Sequence, residues 1–338
     1  MIRLIKTIDA HVGGQPLRLI VEGFPRPHGR TISQQRDWLK RHADALRRAV
    51  VQPPRGHIDL TAALLTEPVS PHAHAGLILM DVSGYPSMSG HGVMAAATIA
   101  IERGMIFSRD FDQAEAAVAF DTPAGIVRAR ARLVTHGGTQ RVDAVAMTNV
   151  PAFVHAASET AKMAARRLRV DIAFGGAFYA IVDTEATGVP LIAARLHDLR
   201  RLGVEICSSL AATVVPEHPG DPKLAGISGV VFTGPAQDPE AHLRNVTVGA
   251  KGSVDLSAGG TSTSAVMAVL DAMGLLPDGE AFVHEGLGGA LLRGRVAGRS
   301  RVGETPAVIT EIEGSAWVIG EHTFLLDDDD PFREGLAL

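Results

Sequence analysis

Cysteine is almost absent from this sequence. Cys207 is the single cysteine among 338 residues, which excludes an internal disulfide and a metal site built from cysteines. Because it ends the apolar segment 202–207, we expect a buried, unreactive thiol there. No two of the fourteen histidines have the H-x-x-x-H spacing of zinc enzymes, so we expect no metal.

A basic surplus and a long apolar run are absent as well. The 32 Lys and Arg residues are outnumbered by 37 Asp and Glu residues, so the chain has no basic footprint for nucleic acid or an anionic membrane. No apolar run approaches the roughly 18 residues that span a bilayer. Arg3 and Lys6 interrupt the first apolar residues, which is not typical of a signal peptide. The sequence therefore predicts a cytoplasmic protein.

Length and patterning predict the broad architecture. With 338 residues, 46% of them apolar and 20% charged, the chain has the composition of a globular protein with two domains of about 150 residues each. Many short strand patterns alternate with few helical ones, which indicates an α+β fold. The helical periodicity predicts one helix over Ile32–Val50, capped by Ser33, and another over Glu159–Leu168.

One glycine-rich unit occurs twice. Ser89-Gly90-His91-Gly92 and Gly259-Gly260-Thr261-Ser262 stand 170 positions apart, and each runs into an apolar helical segment. The glycines that end the two segments, Gly104 and Gly274, are also 170 positions apart. The matched spacing indicates two similar halves.

Each glycine-rich turn can bind an anion. The first N–H groups of a helix have no partner within the helix and lie at the positive end of its dipole. Two such helix ends that face each other could hold one carboxylate between them, in a cleft between the domains. Two buried helices with glycines for close packing are the alternative, and for either turn alone that alternative is favoured. The matched pair, with polar residues at each turn, favours ligand binding.

The residues around both turns carry a resemblance. Gly84–Gly92 resembles the first catalytic motif of the proline racemase family, and Asp255–Ala265 resembles the second. The resemblance implies a diaminopimelate epimerase-like α+β fold without metal or cofactor, in which two pseudo-symmetric halves each wrap a β-barrel-like sheet around a central helix. The halves would be 1–142 with 320–338, and 143–319, with the active site in the cleft. Supporting stretches are Asp9–Pro16, Pro54–His57, Thr122–Gly125, Phe174–Tyr179, His218–Thr233, Gly314–Gly320 and Asp330–Arg333.

The resemblance also implies a substrate and the residues that bind it. Family members act on proline or hydroxyproline, whose carboxylate sits between the two helix N-termini. Asp255 would pair with the ring ammonium, and Gly259 would line the same site. The carboxylate would be held by the backbone N–H groups of Gly90, His91, Gly92, Gly260 and Thr261. A homodimer is left open, and no nucleic-acid or membrane partner is expected.

The chain departs from the family pattern at both catalytic positions. Racemases and epimerases of the family carry a cysteine in each motif, whereas this chain has Ser89 and Gly259, and a related dehydratase branch has Thr at the second position. Inversion of a stereocentre by two bases needs an acid–base group on each face of the α-carbon, and Gly259 has no side chain. Elimination of water needs one face, so we predict a trans-3-hydroxy-L-proline dehydratase with Ser89 as the catalytic base.

Two alternatives stay open at this stage. A proline racemase or 4-hydroxyproline epimerase would need a second group near Gly259, such as water or the hydroxyl of Thr261 or Thr263. A non-catalytic imino-acid binder would need neither cysteine.

Two other polar stretches have open interpretations. Arg55 and His57 are either structural or close to the substrate, and the acidic run Asp327–Asp330 is predicted to be a solvated tail.

Overall fold

The computed structural model describes residues 2–107, 111–112, 114–164, 166–276 and 279–336. The chain forms two compact units: unit 1 comprises 1–147 and 315–338, and unit 2 comprises 148–314. Each unit has one extended sheet and few helices, which is an α+β architecture.

Unit 1 is a sheet of mixed direction. The strands follow the order β19-β1-β2-β3-β4-β5-β6, in which β2–β3 and β4–β5 are parallel and the other pairs are antiparallel. The elements are β1 (Ile2–Val12), β2 (Gln15–Glu22), α1 (Ile32–His42), α2 (Asp44–Val51), β3 (Thr61–Thr66), β4 (Ala75–Met80), α3 (Gly90–Glu102), β5 (Glu115–Thr122), β6 (Gly125–His136), β7 (Thr139–Thr148) and β19 (Ala316–Asp327).

Unit 2 repeats this sequence of pairings. Its strands follow the order β8-β9-β10-β13-β14-β16-β17-β18, and again the third and fifth pairs are parallel. A bridge from Ala152 to Val308 links the start of β8 to β18, the strand at the other end of this order. The elements are β8 (Phe153–Lys162), β9 (Arg167–Phe174), β10 (Phe178–Asp183), α4 (Thr184–Thr187), a 3-10 turn (Ala193–Arg195), α5 (Leu196–Ala211), β11 (Glu217–His218), β12 (Asp221–Ala225), β13 (Ile227–Gly234), β14 (Leu243–Gly249), β15 (Val254–Asp255), α6 (Gly260–Ala272), β16 (Phe282–Gly286), β17 (Leu291–Val302) and β18 (Thr305–Gly314).

Each unit packs its sheet around one apolar helix of 13 residues. α3 contacts β1, β2, β3, β6 and β19, and α6 contacts β8, β9, β10, β17 and β18. The two helices also end alike: Gly104 has φ +61° and Gly274 has φ +69°. Met105 N donates to Ala100 O as Leu275 N donates to Leu270 O, which is the hydrogen bond of a Schellman cap. The duplication seen in the sequence therefore extends to the helix caps.

Of the two other helix predictions, the one over Ile32–Val50 was right about helical backbone but wrong about one continuous helix and its cap, and the one over Glu159–Leu168 was wrong. Residues 32–51 form two helices because Ala43, with φ −139°, interrupts the run, and the cap of α1 is Thr31, whose side chain accepts from Gln34 N. The predicted helix over Glu159–Leu168 is instead the end of β8 and the start of β9, and residue 165 lies outside the described residues.

Arg55 holds the C-terminal segment of unit 1. Its guanidinium donates to Asp330 Oδ2 at 2.7 Å and to the carbonyl of Phe332 at 3.1 Å, and its side chain is 11% exposed. Asp330 is therefore an ion-pair partner, and the prediction of a fully solvated acidic tail was wrong at that residue. His57 Nδ1 accepts from Asp59 N in the same loop. Both observations favour the structural interpretation of this stretch.

We expect Arg55→Ala to lower the free energy of unfolding by about 1–3 kcal/mol, because the Asp330 carboxylate and the Phe332 carbonyl lose a charged hydrogen-bond donor. Residues 325–336 should then be cut faster by proteases. Glu334→Ala is the control, because the Arg48–Glu334 pair lies in the same region with 33% and 50% of the side chains exposed, and the Arg48–Asp44 pair is retained. An exposed pair contributes about 0–1 kcal/mol. Equal losses in urea unfolding would contradict the role given to Arg55.

Candidate active site

The first glycine-rich turn is capped by Ser89. Its backbone is extended (φ −149°, ψ 125°), and its Oγ accepts from Gly92 N at 3.2 Å. A Cβ on Gly92 would come within 2.8 Å of Leu79 Cδ2, so glycine lets the start of α3 approach β4. Gly90 N has no hydrogen-bond partner among the described residues, as expected for the first N–H of a helix.

Ser89 and His91 form a hydroxyl–imidazole pair. Ser89 Oγ lies 3.1 Å from His91 Nδ1, and His91 is 6% exposed whereas Ser89 is half-buried. Because Oγ accepts from Gly92 N, its own proton can be donated to the imidazole. A histidine in this position can take the hydroxyl proton, which is how a serine becomes a useful base. The sequence favoured His91 as a residue that orients the substrate and left its assistance to Ser89 as the alternative, and the structure shows the contact with Ser89.

The second turn is organised by Asp255 and Ser257. Asp255 Oδ1 accepts from Ser257 N at 2.9 Å and from Ser257 Oγ at 2.6 Å, and Ser257 Oγ accepts from Gly259 N at 3.1 Å. The N–H of Gly259 is thus used inside the turn. The backbone N–H groups of Gly260 and Thr261 have no hydrogen-bond partner among the described residues, as expected for the first N–H groups of a helix.

Gly259 has a backbone that favours glycine. Its φ is +68°, and a Cβ added there would overlap with Ser262 Oγ. The same Cβ would lie 3.2 Å from Asp255 Oδ2. The place of a side chain at position 259 is therefore already occupied by a hydroxyl.

The hydroxyls of Thr261 and Thr263 have other partners. Thr261 Oγ1 bonds to Tyr179 OH at 2.8 Å, and Thr263 Oγ1 donates to Ala258 O at 3.1 Å and lies 2.9 Å from His284 Nδ1. The Ala258 carbonyl also accepts from Asn245 Nδ2 at 2.9 Å and Ser262 Oγ at 3.0 Å. The peptide before Gly259 is consequently fixed by three side chains.

The predicted residues thus fall into two local sets. Unit 1 brings together Ser89, Gly90, His91 and Gly92, and unit 2 brings together Asp255, Gly259, Gly260 and Thr261. That both sets bind one substrate stays a prediction. The sequence reasoning missed the contributions of Ser257 and Ser262, although both stand inside the second motif. It also missed Tyr179, Asn245 and His284, which reach the motif from other strands.

His284 is buried and neutral. Burial lowers the pKa of its imidazole from 6.5 to about 3. In the unfolded chain this imidazole becomes protonated below pH 6.5, whereas in the folded chain it stays neutral until the pH is near 3. The contribution of His284 to the free energy of unfolding is therefore fully present above pH 6.5 and is lost as the pH falls. We expect urea unfolding to show a loss of about 2 kcal/mol between pH 6.5 and pH 5.

His284→Asn provides the control for this pH dependence. Asn keeps an N–H that can point at Thr263 but does not titrate. Its free energy of unfolding should vary less between pH 6.5 and pH 5 than that of the wild type. An unchanged slope would assign the pH dependence to other groups.

Cys207 and the clusters of potential metal ligands were the other site candidates in the sequence. Cys207 is 5% exposed, and burial raises the pKa of its thiol to about 12, which confirms the expectation of a buried, unreactive thiol. Among the described residues, no three His, Cys, Asp or Glu side chains gather in a way that could hold a metal ion. None of the helices in those ranges has the length and apolar character to cross a membrane.

The whole chain matches known proteins. The family model described as proline racemase matches residues 7–337. The trans-3-hydroxy-L-proline dehydratase of Bacillus cereus is 37% identical over 336 residues, which cover 99% of this chain and 98% of that protein. The 3-hydroxyproline 2-epimerase of Burkholderia multivorans is 37% identical over 339 aligned positions, with 99% and 98% covered.

A solved structure is similar throughout. The crystal structure of a hydroxyproline epimerase from Agrobacterium vitis, with bound trans-4-hydroxy-L-proline, has a TM-score of 0.91 and 29% identity to this chain. The superposed residues cover 99% of this chain and 95% of the epimerase chain. The diaminopimelate epimerase-like α+β fold class predicted from the sequence is confirmed.

Proposed function

The chain belongs to the proline racemase family of racemases, epimerases and dehydratases, and from this we propose that it is a cofactor-independent lyase that removes water from trans-3-hydroxy-L-proline. The observation that carries the proposal is the asymmetry of the two motifs. Ser89 has an imidazole at 3.1 Å to take its proton, whereas Gly259 has no side chain and no room for one.

The stereochemistry of the substrate supports elimination from one face. In the trans isomer the 3-hydroxyl and the α-proton both lie on the ring face opposite the carboxylate. A single group on that face can take the α-proton and return it to the leaving hydroxyl. The C2–H and C3–O bonds break, a C2=C3 double bond forms and water leaves. The resulting enamine tautomerises to pyrroline-2-carboxylate.

The binding groups in this proposal come from both motifs. The carboxylate is held by backbone N–H groups at the starts of α3 and α6, where the helix dipoles are positive. These groups also stabilise the negative charge that builds up as the α-proton leaves. Asp255 pairs with the ring ammonium in a charge-assisted hydrogen bond. The proposed residues are Ser89 as base, Asp255 as the ammonium partner, and Gly90, His91, Gly260 and Thr261 as N–H donors. Gly92 and Gly259 line the proposed site, and their N–H groups bond within their own turns.

An isomerase is the second candidate. The epimerase of Burkholderia multivorans is as similar to this chain as the Bacillus cereus dehydratase, at 37% identity. This function requires a proton-transfer group on the second face of the α-carbon, in the surroundings of Gly259.

Paired hydroxyproline isomers test the proposal. Purified protein is incubated with trans-3-hydroxy-L-proline or cis-3-hydroxy-L-proline, and the loss of water is followed by mass spectrometry. In the cis isomer the α-proton and hydroxyl lie on opposite faces, so we expect it to react at least about 100-fold more slowly, the scale of one acid–base contribution. Equal rates for the two isomers, or no water loss from the trans isomer, would refute the proposed lyase.

A further inference from the structure

Two hydrogen-bond acceptors lie at the place where a side chain on residue 259 would be. Ser262 Oγ occupies the place of the missing Cβ, and Asp255 Oδ2 lies 3.2 Å from that place. Ser262 Oγ donates to Ala258 O at 3.0 Å and is 3.3 Å from Gly259 O, so its proton is directed at the backbone. Its lone pairs are left for other partners. Asp255 Oδ1 accepts from Ser257 N and from Ser257 Oγ.

We propose that Ser262 Oγ and Asp255 Oδ2 together accept the two N–H groups of a secondary ammonium, which makes Ser262 a specificity-determining residue for cyclic imino acids. This inference rests on the proposed function, since it assigns the ring ammonium to Asp255. A cyclic imino acid carries two N–H groups on its nitrogen, which matches two acceptors. A primary amino acid carries three N–H groups, and the third would lack a partner when desolvated.

The role of the second motif changes accordingly. A side chain at position 259 would stand beside the α-carbon as an acid–base group, whereas Ser262 Oγ presents lone pairs to the ammonium. The second motif then contributes to binding alone, in agreement with elimination from one face. The competing role for Ser262 is proton donation to the α-carbon, which would make the protein an isomerase.

Binding of unreactive ligands tests the inference. Isothermal titration calorimetry of the wild type and Ser262→Ala is performed with L-proline, which has no 3-hydroxyl, and with N-methyl-L-proline, which has one N–H fewer. We expect Ser262→Ala to weaken L-proline binding roughly 10–100-fold, since a hydrogen bond to a charged group is lost. The same substitution should change N-methyl-L-proline binding less than about threefold.

Two further variants separate binding from folding. Ser264→Ala makes the same substitution on the same helix, where the hydroxyl bonds to Gly260 O and Thr310, and should leave L-proline affinity within about threefold of the wild type. Ser262→Gly also removes the hydroxyl and replaces Ser262→Ala in the binding measurements if Ser262→Ala does not fold.

Three outcomes overturn the inference. The first is that Ser262 variants bind L-proline as tightly as the wild type. The second is that they bind both ligands more weakly by the same factor, and the third is that the wild type binds neither ligand. Failure of the proposed lyase has a different signature, because a wild type that binds L-proline but leaves trans-3-hydroxy-L-proline intact refutes only the reaction.

Discussion

Ser89→Ala is expected to lower kcat/KM for trans-3-hydroxy-L-proline roughly 10²–10⁴-fold, the usual contribution of a positioned acid–base group. In the proposed reaction the hydroxyl is the proton-transfer group of the first motif, and His91 Nδ1, which lies 3.1 Å from it, can accept its proton. L-proline affinity should stay within a few-fold, because the helix N–H groups and Asp255 are retained. Steady-state kinetics and calorimetry measure the two effects.

Loss of a helix cap has to be separated from loss of the base. Ser89 caps α3 by accepting from Gly92 N at 3.2 Å, and Thr31 caps α1 in the same way by accepting from Gln34 N at 3.1 Å. Thr31→Ala should therefore cost a similar free energy of unfolding, about 0.5–2 kcal/mol, and leave kcat/KM unchanged. A Ser89→Ala enzyme that retains more than a tenth of wild-type kcat/KM would contradict the assignment of Ser89 as base.

Gly259→Cys is expected to disrupt unit 2 and not to create an epimerase. A side chain at φ +68° is strained, and its Cβ overlaps with Ser262 Oγ. Strain and overpacking together should lower the free energy of unfolding by about 2–5 kcal/mol. The double variant Gly259→Cys/Ser262→Gly should regain part of that loss, because the overlap is removed.

Gly274 provides a matched control on the same helix. Its φ is +69°, nearly that of Gly259, but a Cβ added there would meet nothing within 4 Å. Gly274→Cys should therefore show the cost of a positive φ without the overlap, about 1–2 kcal/mol. Urea unfolding that gives equal losses for Gly259→Cys and Gly274→Cys would contradict the overlap with Ser262.

Local sequence patterns predicted the repeated unit well. The turn, the apolar run and the final glycine are set by residues close in sequence, and the caps at Gly104 and Gly274 follow from a backbone that glycine adopts readily. The helix predicted over Glu159–Leu168 failed because helix-forming residues there lie on paired strands. Lys162 is opposite Arg167 and Ala161 is opposite Leu168, so tertiary pairing overrides intrinsic propensity.

The candidate site was predictable where its contacts join residues that are close in sequence. Contacts between residues two apart, such as Ser89 with His91 and Asp255 with Ser257, are within reach of a sequence argument. The positive φ of Gly259 is not, and neither is the position of Ser262 Oγ at the place of a side chain on residue 259. The sequence argument considered the hydroxyls of Thr261 and Thr263, whereas the hydroxyl beside position 259 belongs to Ser262.

The fate of the α-proton is the central question for this protein. Proton NMR in D2O of the wild type with trans-3-hydroxy-L-proline follows the C2 and C3 signals of the substrate together with those of any product. One acid–base face predicts that the substrate is converted to pyrroline-2-carboxylate and that no C2 epimer accumulates. Accumulation of the C2 epimer with deuterium at the α-carbon would show proton transfer on both faces and contradict the account.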